Sequence, residues 1–282
     1  MSADAWVVEV RLAEGAGAPV LEAMDALEAA GAEALEVLEE GDPPRVWGLL
    51  SGAAPAVERA VQDELRARSV VGVELRVSPV ERADWASVVQ LGLRPVVFGD
   101  LAVVPPGCPA PAVAHVLTIE TDGAFGSGLH PSTALVLERL AGLEPVPAML
   151  DLGTGTGILA LAALAWGTDR VVGTDIDPTA LVVAARNAAA AGLQDRLTLL
   201  AGGPEVVHGQ FPRVVANVLA APLAELAPQV VRLLAPGAQL ILSGLLPHQV
   251  DEVVRAYRDR GLWWVGETAD RGWVSVELRP SW

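Results

Sequence analysis

The stretch "MLDLGTGTGILALAALAWG", residues 149–167, decides the fold. A short apolar run reaches Asp151-Leu152, meets glycine at 153, 155 and 157, and passes at once into an apolar run of helical length. Glycines at that turn let the backbone bend tightly and approach a ligand without Cβ clashes. The first turn of the helix beyond offers backbone N–H groups that have no partner inside the helix. Twenty-two residues after Gly153, Asp175 ends the next apolar run in "VVGTDIDP" (171–178). An acid at about that separation holds ribose hydroxyls in dinucleotide folds. Asp177, directly before Pro178, has a plainer reading as a helix N-cap with proline at the first helical position.

The spacing excludes two common relatives of this loop. A dinucleotide fingerprint reads GxGxxG, whereas this one reads GxGxG and Ile158 stands where the last glycine belongs. The chain has no lysine, so the phosphate-binding lysine of a Walker-type loop is excluded too. Working outward, apolar runs "AMLDLG", "RVVGTDI", "LTLLAG", "RVVANV" and "AQLILSG" alternate with helical stretches such as "PTALVVAARNAAAAG" and "HQVDEVVRAYRDRG". Strands of this kind alternating with helices indicate an α/β domain with a parallel sheet covered on both faces. "WWVGETA" and "GWVSVELR" follow with no helix between them, and predict an antiparallel hairpin at the end of the sheet, seven strands in all. In the first of these strands one of Trp263 and Trp264 should face inward and the other outward.

Residues 1–80 read as strand, helix, strand, strand, helix, strand, with "GDPP" as the turn between the middle strands. That order predicts a smaller N-terminal ferredoxin-like α/β domain. Residues 81–118, which include "RPVVFGDLAVVPPGCPAPAVAHVL", form a proline-rich connector with short strands and turns, and 119–282 hold the glycine loop and the large sheet.

Composition bounds the function. With 282 residues, 52% hydrophobic and 19% charged, the chain is globular. No apolar run reaches the roughly 18–20 residues of a membrane span, and "MSADAWVVEVRL" lacks the basic and apolar regions of a secretory signal. The expectation is a soluble, cytoplasmic protein without membrane contact. All 19 basic residues are arginine, and the formal net charge is -16. Such a field repels a phosphate backbone, so a small molecule or a basic protein is expected as partner, without direct sequence-specific nucleic-acid binding. Cys108 is the only cysteine, and His115, His130, His208 and His248 lack metal-ligand spacing, so no metal is expected.

Two further segments carry chemistry. "TDGAFGSGLHPSTA" (121–134) places Phe125, glycines and His130 just ahead of a helix that Pro131 is suited to begin. Ser132 and Thr133 then fall in the first turn, where free N–H groups and hydroxyls could receive a carboxylate. Asn217 ends the fourth strand of the large domain, and ligands of open parallel sheets bind beyond the carboxyl ends of strands. A neutral amide there can accept hydrogen bonds from an amine and aim its lone pair; the plainer reading is an asparagine capping the next helix.

The strand ending "DLGTGTG" followed by "GTDID" resembles the first two motifs of Rossmann-like AdoMet-dependent methyltransferases. Many amino-methylating enzymes carry Asn-Pro-Pro-aromatic where this chain has Asn217-Val218-Leu219-Ala220. With "AFGSGLHPST" (124–133), "ANVLA" (216–220) and "DWASVVQLGLRP" (84–95), the combination resembles the bacterial ribosomal protein L11 methyltransferases. Thr121-Asp122, Gly123 and Val89 depart from that family's pattern. The resemblance implies S-adenosyl-L-methionine (AdoMet) as co-substrate. It also implies methyl transfer to lysine side chains and the N-terminal amine of a basic large-subunit ribosomal protein, free or on the ribosome. It implies a cofactor-binding set of Thr133, Gly153, Gly155, Asp175 and Asn217, with Phe125, Gly126 and His130 in a loop that closes over the cofactor, and Asn217 as the catalytic residue. The N-terminal domain would recognise the substrate. Two other readings remain: a methyltransferase of similar build acting on another protein or a small amine, and a non-catalytic AdoMet- or nucleotide-binding module.

Overall fold

The computed structural model describes residues 5–12, 20–32, 34–38, 45–80, 95–106, 108–121 and 130–282. The chain divides into two compact units, Met1–Leu91 and Gly92–Trp282. The first runs β1 (Ala5–Arg11), α1 (Val20–Ala29), β2 (Ala34–Leu38), β3 (Arg45–Ser51), α2 (Ala54–Ala67) and β4 (Glu74–Val80). Its sheet has the order β2-β3-β1-β4, and every neighbouring pair is antiparallel. That order is compatible with the ferredoxin-like sandwich. Helix α2 shows why: Val57, Val61 and Leu65 recur every fourth residue, so one face is apolar, and all three are buried.

The second unit opens with β5 (Val96–Phe98), β6 (Leu101–Val104) and β7 (His115–Thr118), a three-stranded sheet. The unit boundary at Leu91/Gly92 therefore puts much of the segment read as a connector into the body of the large unit. Phe98, Leu101, Val103 and Leu117 bury into one core with helices α3 (Pro131–Ala141) and α4 (Ile158–Ala165). Strands β8 (Ala148–Leu152), β9 (Arg170–Asp175), β10 (Leu197–Ala201), β11 (Phe211–Asn217) and β12 (Leu234–Leu245) are parallel, with α5 (Pro178–Ala190) between β9 and β10. Short helices α6 (Ala220–Glu225) and α7 (Ala227–Val231) follow β11, and α8 (Val250–Arg258) joins β12 to β13 (Leu262–Asp270) and β14 (Trp273–Pro280). The period of two along each strand sorts side chains between two cores. Met149, Val215 and Ile241 meet α3 and α4, whereas Leu150, Val214 and Leu240 meet α6, α7 and α8.

The sheet order is β10-β9-β8-β11-β12-β14-β13. The chain winds outward from β8 in one direction and from β11 in the other, so the switch point lies between β8 and β11. The hairpin expected at the end of the sheet exists, but β14 returns inside it, antiparallel to β12, and leaves β13 on the edge. Helix α8 carries the chain past one strand position, and β14 fills the gap. This corrects the reading of Trp263 and Trp264. Both rings are exposed, at 55% and 41%, because β13 has one neighbour and its register shifts just beyond Trp264. The inserted β14, by contrast, is buried along almost its whole length. Among the described residues no helix is long and apolar enough to cross a membrane.

Helix α8 buries Val250, Val253, Val254 and Tyr257, one apolar face with a single hydroxyl in it. That hydroxyl donates to the carbonyl oxygen of Leu223 at 2.9 Å. Tyr257→Phe should lower unfolding stability by about 1–2 kcal/mol in urea titration, since a buried acceptor loses its donor; an unchanged midpoint would show that the bond contributes nothing.

Candidate functional site

The glycine loop explains its own spacing. Gly153, Gly155 and Gly157 have φ of 72°, 55° and 82°, the left-handed region that a side chain disfavours. Alternating left-handed residues fold the loop back on the end of β9, where the N–H groups of Gly153 and Thr154 donate to the carbonyl oxygen of Thr174 at 2.9 and 2.8 Å. Gly155 N–H then donates to Asp175 Oδ2 at 2.9 Å, and Asp177 N–H to Asp175 Oδ1 at 2.9 Å. The half-buried Asp175 carboxylate is thus aimed by one backbone donor on each oxygen, with lone pairs left for a hydroxyl-bearing ligand. Asp177 is the N-cap of α5: its Oδ1 accepts from Thr179 N–H at 2.8 Å and from the Thr179 hydroxyl at 2.7 Å, with Pro178 next in the helix. Between the two acids Ile176 is 84% exposed, an apolar side chain beside the loop that sequence reading passed over. Its signal was an isoleucine flanked by two acids just past the end of a strand.

Asp151, fully buried under the loop, accepts the Thr154 hydroxyl at 2.7 Å. Burial pushes its carboxyl up to about 7, against the opposing hydrogen bond from Thr154. Asn187 on α5 is a second residue that the sequence did not single out. Its amide donates to the carbonyl oxygens of Thr156 and Glu120, both at 2.9 Å, and its Oδ1 accepts from Glu120 N–H at 3.0 Å. One buried side chain so joins the glycine loop to the segment that leads toward "DGAFGSGL".

Across the switch point, Asn217 ends β11 and is 8% exposed. Its Nδ2 donates to Thr133 Oγ1 at 3.0 Å, while its Oδ1 is buried without a partner among the described residues. It does not cap α6, whose N-cap is Leu219. Helix α3 is capped by His130, whose Nδ1 accepts from Ser132 N–H at 3.3 Å, and Pro131 begins the helix. The Ser132 hydroxyl lies 2.7 Å from the same ring nitrogen, and Ser243 Oγ donates to the Ser132 carbonyl oxygen at 2.8 Å. Thr133 N–H donates to the His130 carbonyl oxygen at 3.0 Å. The N–H groups expected to be free for a carboxylate are therefore already bonded, that of Ser132 by the histidine ring and that of Thr133 by the backbone carbonyl of the same residue. The His130 ring is 4% exposed and meets Trp273 edge-on, with centroids 4.6 Å apart. Phe125 and Gly126 lie outside the described residues. The structure brings Thr133 to Asn217, Gly155 to Asp175, and Gly153 to Thr174 beside it. The two groups are neighbours, since Val218 packs on the Cα of Gly153.

The buried carboxyl has a pH signature. Above about pH 4 the unfolded chain releases a proton that folded Asp151 keeps until pH approaches 7. Its contribution to stability is complete below that lower value and is lost as pH rises through the folded one. The stability of Asp151→Asn relative to the natural chain should therefore rise by about 1.4 kcal/mol per pH unit between roughly pH 4.5 and 6.5, in urea titrations across that range; a flat difference would mean that the carboxyl ionises normally.

The family model described as ribosomal protein L11 methyltransferase (PrmA) matches residues 21–280. A relative from Azotobacter vinelandii, named ribosomal protein L11 methyltransferase, is 41% identical over 222 residues, covering 74% of this chain and 74% of its own length. One of the same name from Chromohalobacter salexigens is 36% identical over 275 residues, covering 89% and 92%. The crystal structure of a ribosomal protein L11 methylase from Lactobacillus delbrueckii subsp. bulgaricus matches with a TM-score of 0.58 at 29% identity, covering 64% of this chain and 95% of that one. The family model spans most of the chain, and the two relatives, at 41% and 36% identity, are matched over most of their own length: the chain belongs to the ribosomal protein L11 methyltransferase family.

Proposed function

We propose that this chain transfers methyl groups from AdoMet to amino groups of ribosomal protein L11, on lysine side chains and the N-terminal amine. The observation that carries the reading is Asn217 Oδ1, a buried acceptor without a partner among the described residues, at the carboxyl end of β11 and on an amide held from its other side by Thr133. A buried acceptor left unsatisfied costs about 1–3 kcal/mol, and a donor arriving with the substrate removes that cost. An amine N–H is such a donor.

The residues present fit AdoMet. Asp175 would accept from the ribose hydroxyls, exposed Ile176 would lie against the adenine, and the glycine loop would let the backbone approach closely. Thr133 sets the Asn217 amide. His130 holds the start of α3, and the sequence resemblance assigns Phe125 and Gly126, outside the described residues, to the proposed cover. Bound AdoMet supplies a sulfonium-activated methyl carbon and a neutral thioether leaving group. The chain's own contribution is alignment, an effect on the order of 7–11 kcal/mol for well-oriented reactants. By accepting one N–H of a neutral amine, Asn217 Oδ1 turns the nitrogen lone pair away from itself and toward the methyl. An α-amine near ~7.7–8.0 is partly neutral at pH 7, whereas a lysine near ~10.4 is almost wholly charged, so a desolvating crevice favours its reactive form. The amine sheds its proton to solvent before attack. The N-terminal unit supplies recognition of the ribosomal protein, and the setting is the cytoplasm.

The test is incubation with isotopically labelled AdoMet and purified L11, free and on ribosomes. Label in L11 supports the proposal, and no label despite AdoMet binding refutes it. Asn217→Ala should lower kcat by about 100-fold while the AdoMet Kd stays within a few-fold, the pattern of a lost orienting group; equal losses in both would contradict the role given to it.

A further inference from the structure

Asn217 and the start of α6 at Ala220 are separated by Val218 and Leu219, and neither is a proline that would lock the backbone. Two glycines close on this short link from opposite sides. A Cβ built on Gly153 would lie 2.4 Å from Val218 Cγ1, far inside contact distance. A Cβ built on Gly244 would lie 2.6 Å from the carbonyl oxygen of Val218 and 3.2 Å from Asn217 Oδ1. Gly153 belongs to the loop after β8 and Gly244 to the end of β12, the two strands that flank β11. Both glycines are left-handed, at φ of 72° and 83°. The side chain of Val218 therefore seats on one neighbouring strand end and its peptide on the other.

We infer that Val218 is a positioning residue. Gripped between Gly153 and Gly244, it sets the direction of the Asn217 amide and keeps room beside its free oxygen. Thr133 holds the Asn217 amide at Nδ2, and the backbone that carries Asn217 sets where that planar group starts, so the direction of its carbonyl depends on both. Val218 is half-buried, and its branched Cβ restricts rotation about χ1, which suits a wedge. The inference rests on the proposed role of Asn217 in aiming the amine.

The experiment compares Val218→Ala, Val218→Thr and Asn217→Ala by kcat, AdoMet Kd and thermal unfolding, and reads the side-chain amide NMR signals of Asn217 in the natural chain and the two Val218 variants. Val218→Ala should lose about tenfold in kcat with AdoMet Kd within about twofold, and its Asn217 amide signals should broaden or double. Val218→Thr keeps the branched shape and should keep both the rate and a single sharp amide pair. Unchanged kcat and amide signals in Val218→Ala overturn the inference. If Asn217→Ala still loses turnover then, the proposed function stands without it; if Asn217→Ala also keeps full turnover, the reading of Asn217 fails first. Steric contact gives a further check. Gly153→Ala abuts a side chain, so the Gly153→Ala/Val218→Ala pair should be more stable than the sum of the single losses, with the left-handed strain remaining. Gly244→Ala abuts a backbone oxygen, and Val218→Ala should return nothing to it. Rescue of both glycine variants, or of neither, overturns the packing on which the inference stands.

Discussion

The N–H groups of Gly153 and Thr154 converge on one carbonyl oxygen, that of Thr174, and the site is built outward from that point. The convergence requires a loop with left-handed residues at alternate positions, hence glycine at 153, 155 and 157. Once the loop is pinned to the end of β9, Gly155 N–H falls on the Asp175 carboxylate, and Asp151 and Thr154 are enclosed beneath. The opposite side of the loop presents the bare Cα of Gly153 to Val218 and so to the end of β11. A side chain at Gly153 would disturb both neighbours at once, because the same backbone turn serves them both.

Helix α3 completes the other wall, and it is fastened at both ends by different chemistry. At its start Ser243 holds the Ser132 carbonyl and Asn217 meets Thr133, while at its end Arg139 pairs with Glu277 on β14. Burial acts to raise the Glu277 carboxyl, but the guanidiniums of Arg139 and Arg279 outweigh it and hold the group below the usual carboxylate range. The inserted strand thus has a second use beyond closing the sheet, since it brings an acid to the end of the helix that begins at the site.

Features written in local spacing were legible in the sequence. The glycine loop, the Asp177 cap, the position of Asn217 and the alternation of strands and helices depend on residues a few places apart, and each appears as read. What escaped depends on distant partners. Asn187 reads as one polar residue in an alanine-rich helix, and its meaning lies in backbone atoms 31 and 67 positions away. The hairpin was visible, but which of its strands takes the inner position follows from where α8 leaves the chain, so the exposure of both Trp263 and Trp264 was not. His130 looked like part of a loop because a histidine is an unusual cap; serine, threonine, aspartate and asparagine lead at that position.

The guanidinium that reaches Glu277 is one of nineteen arginines in a chain with no lysine. Lysine could carry the same positive charge, but only as a primary amine, the functional group on which the proposed reaction works. Guanidinium nitrogens share their electrons across a plane and keep their protons at any physiological pH, so they offer no free lone pair to an activated methyl. Every side-chain cation of this chain is thereby chemically unlike its proposed target. An enzyme built this way distinguishes itself from its substrate by composition as well as by shape, and its own side chains offer its crevice no lysine to modify.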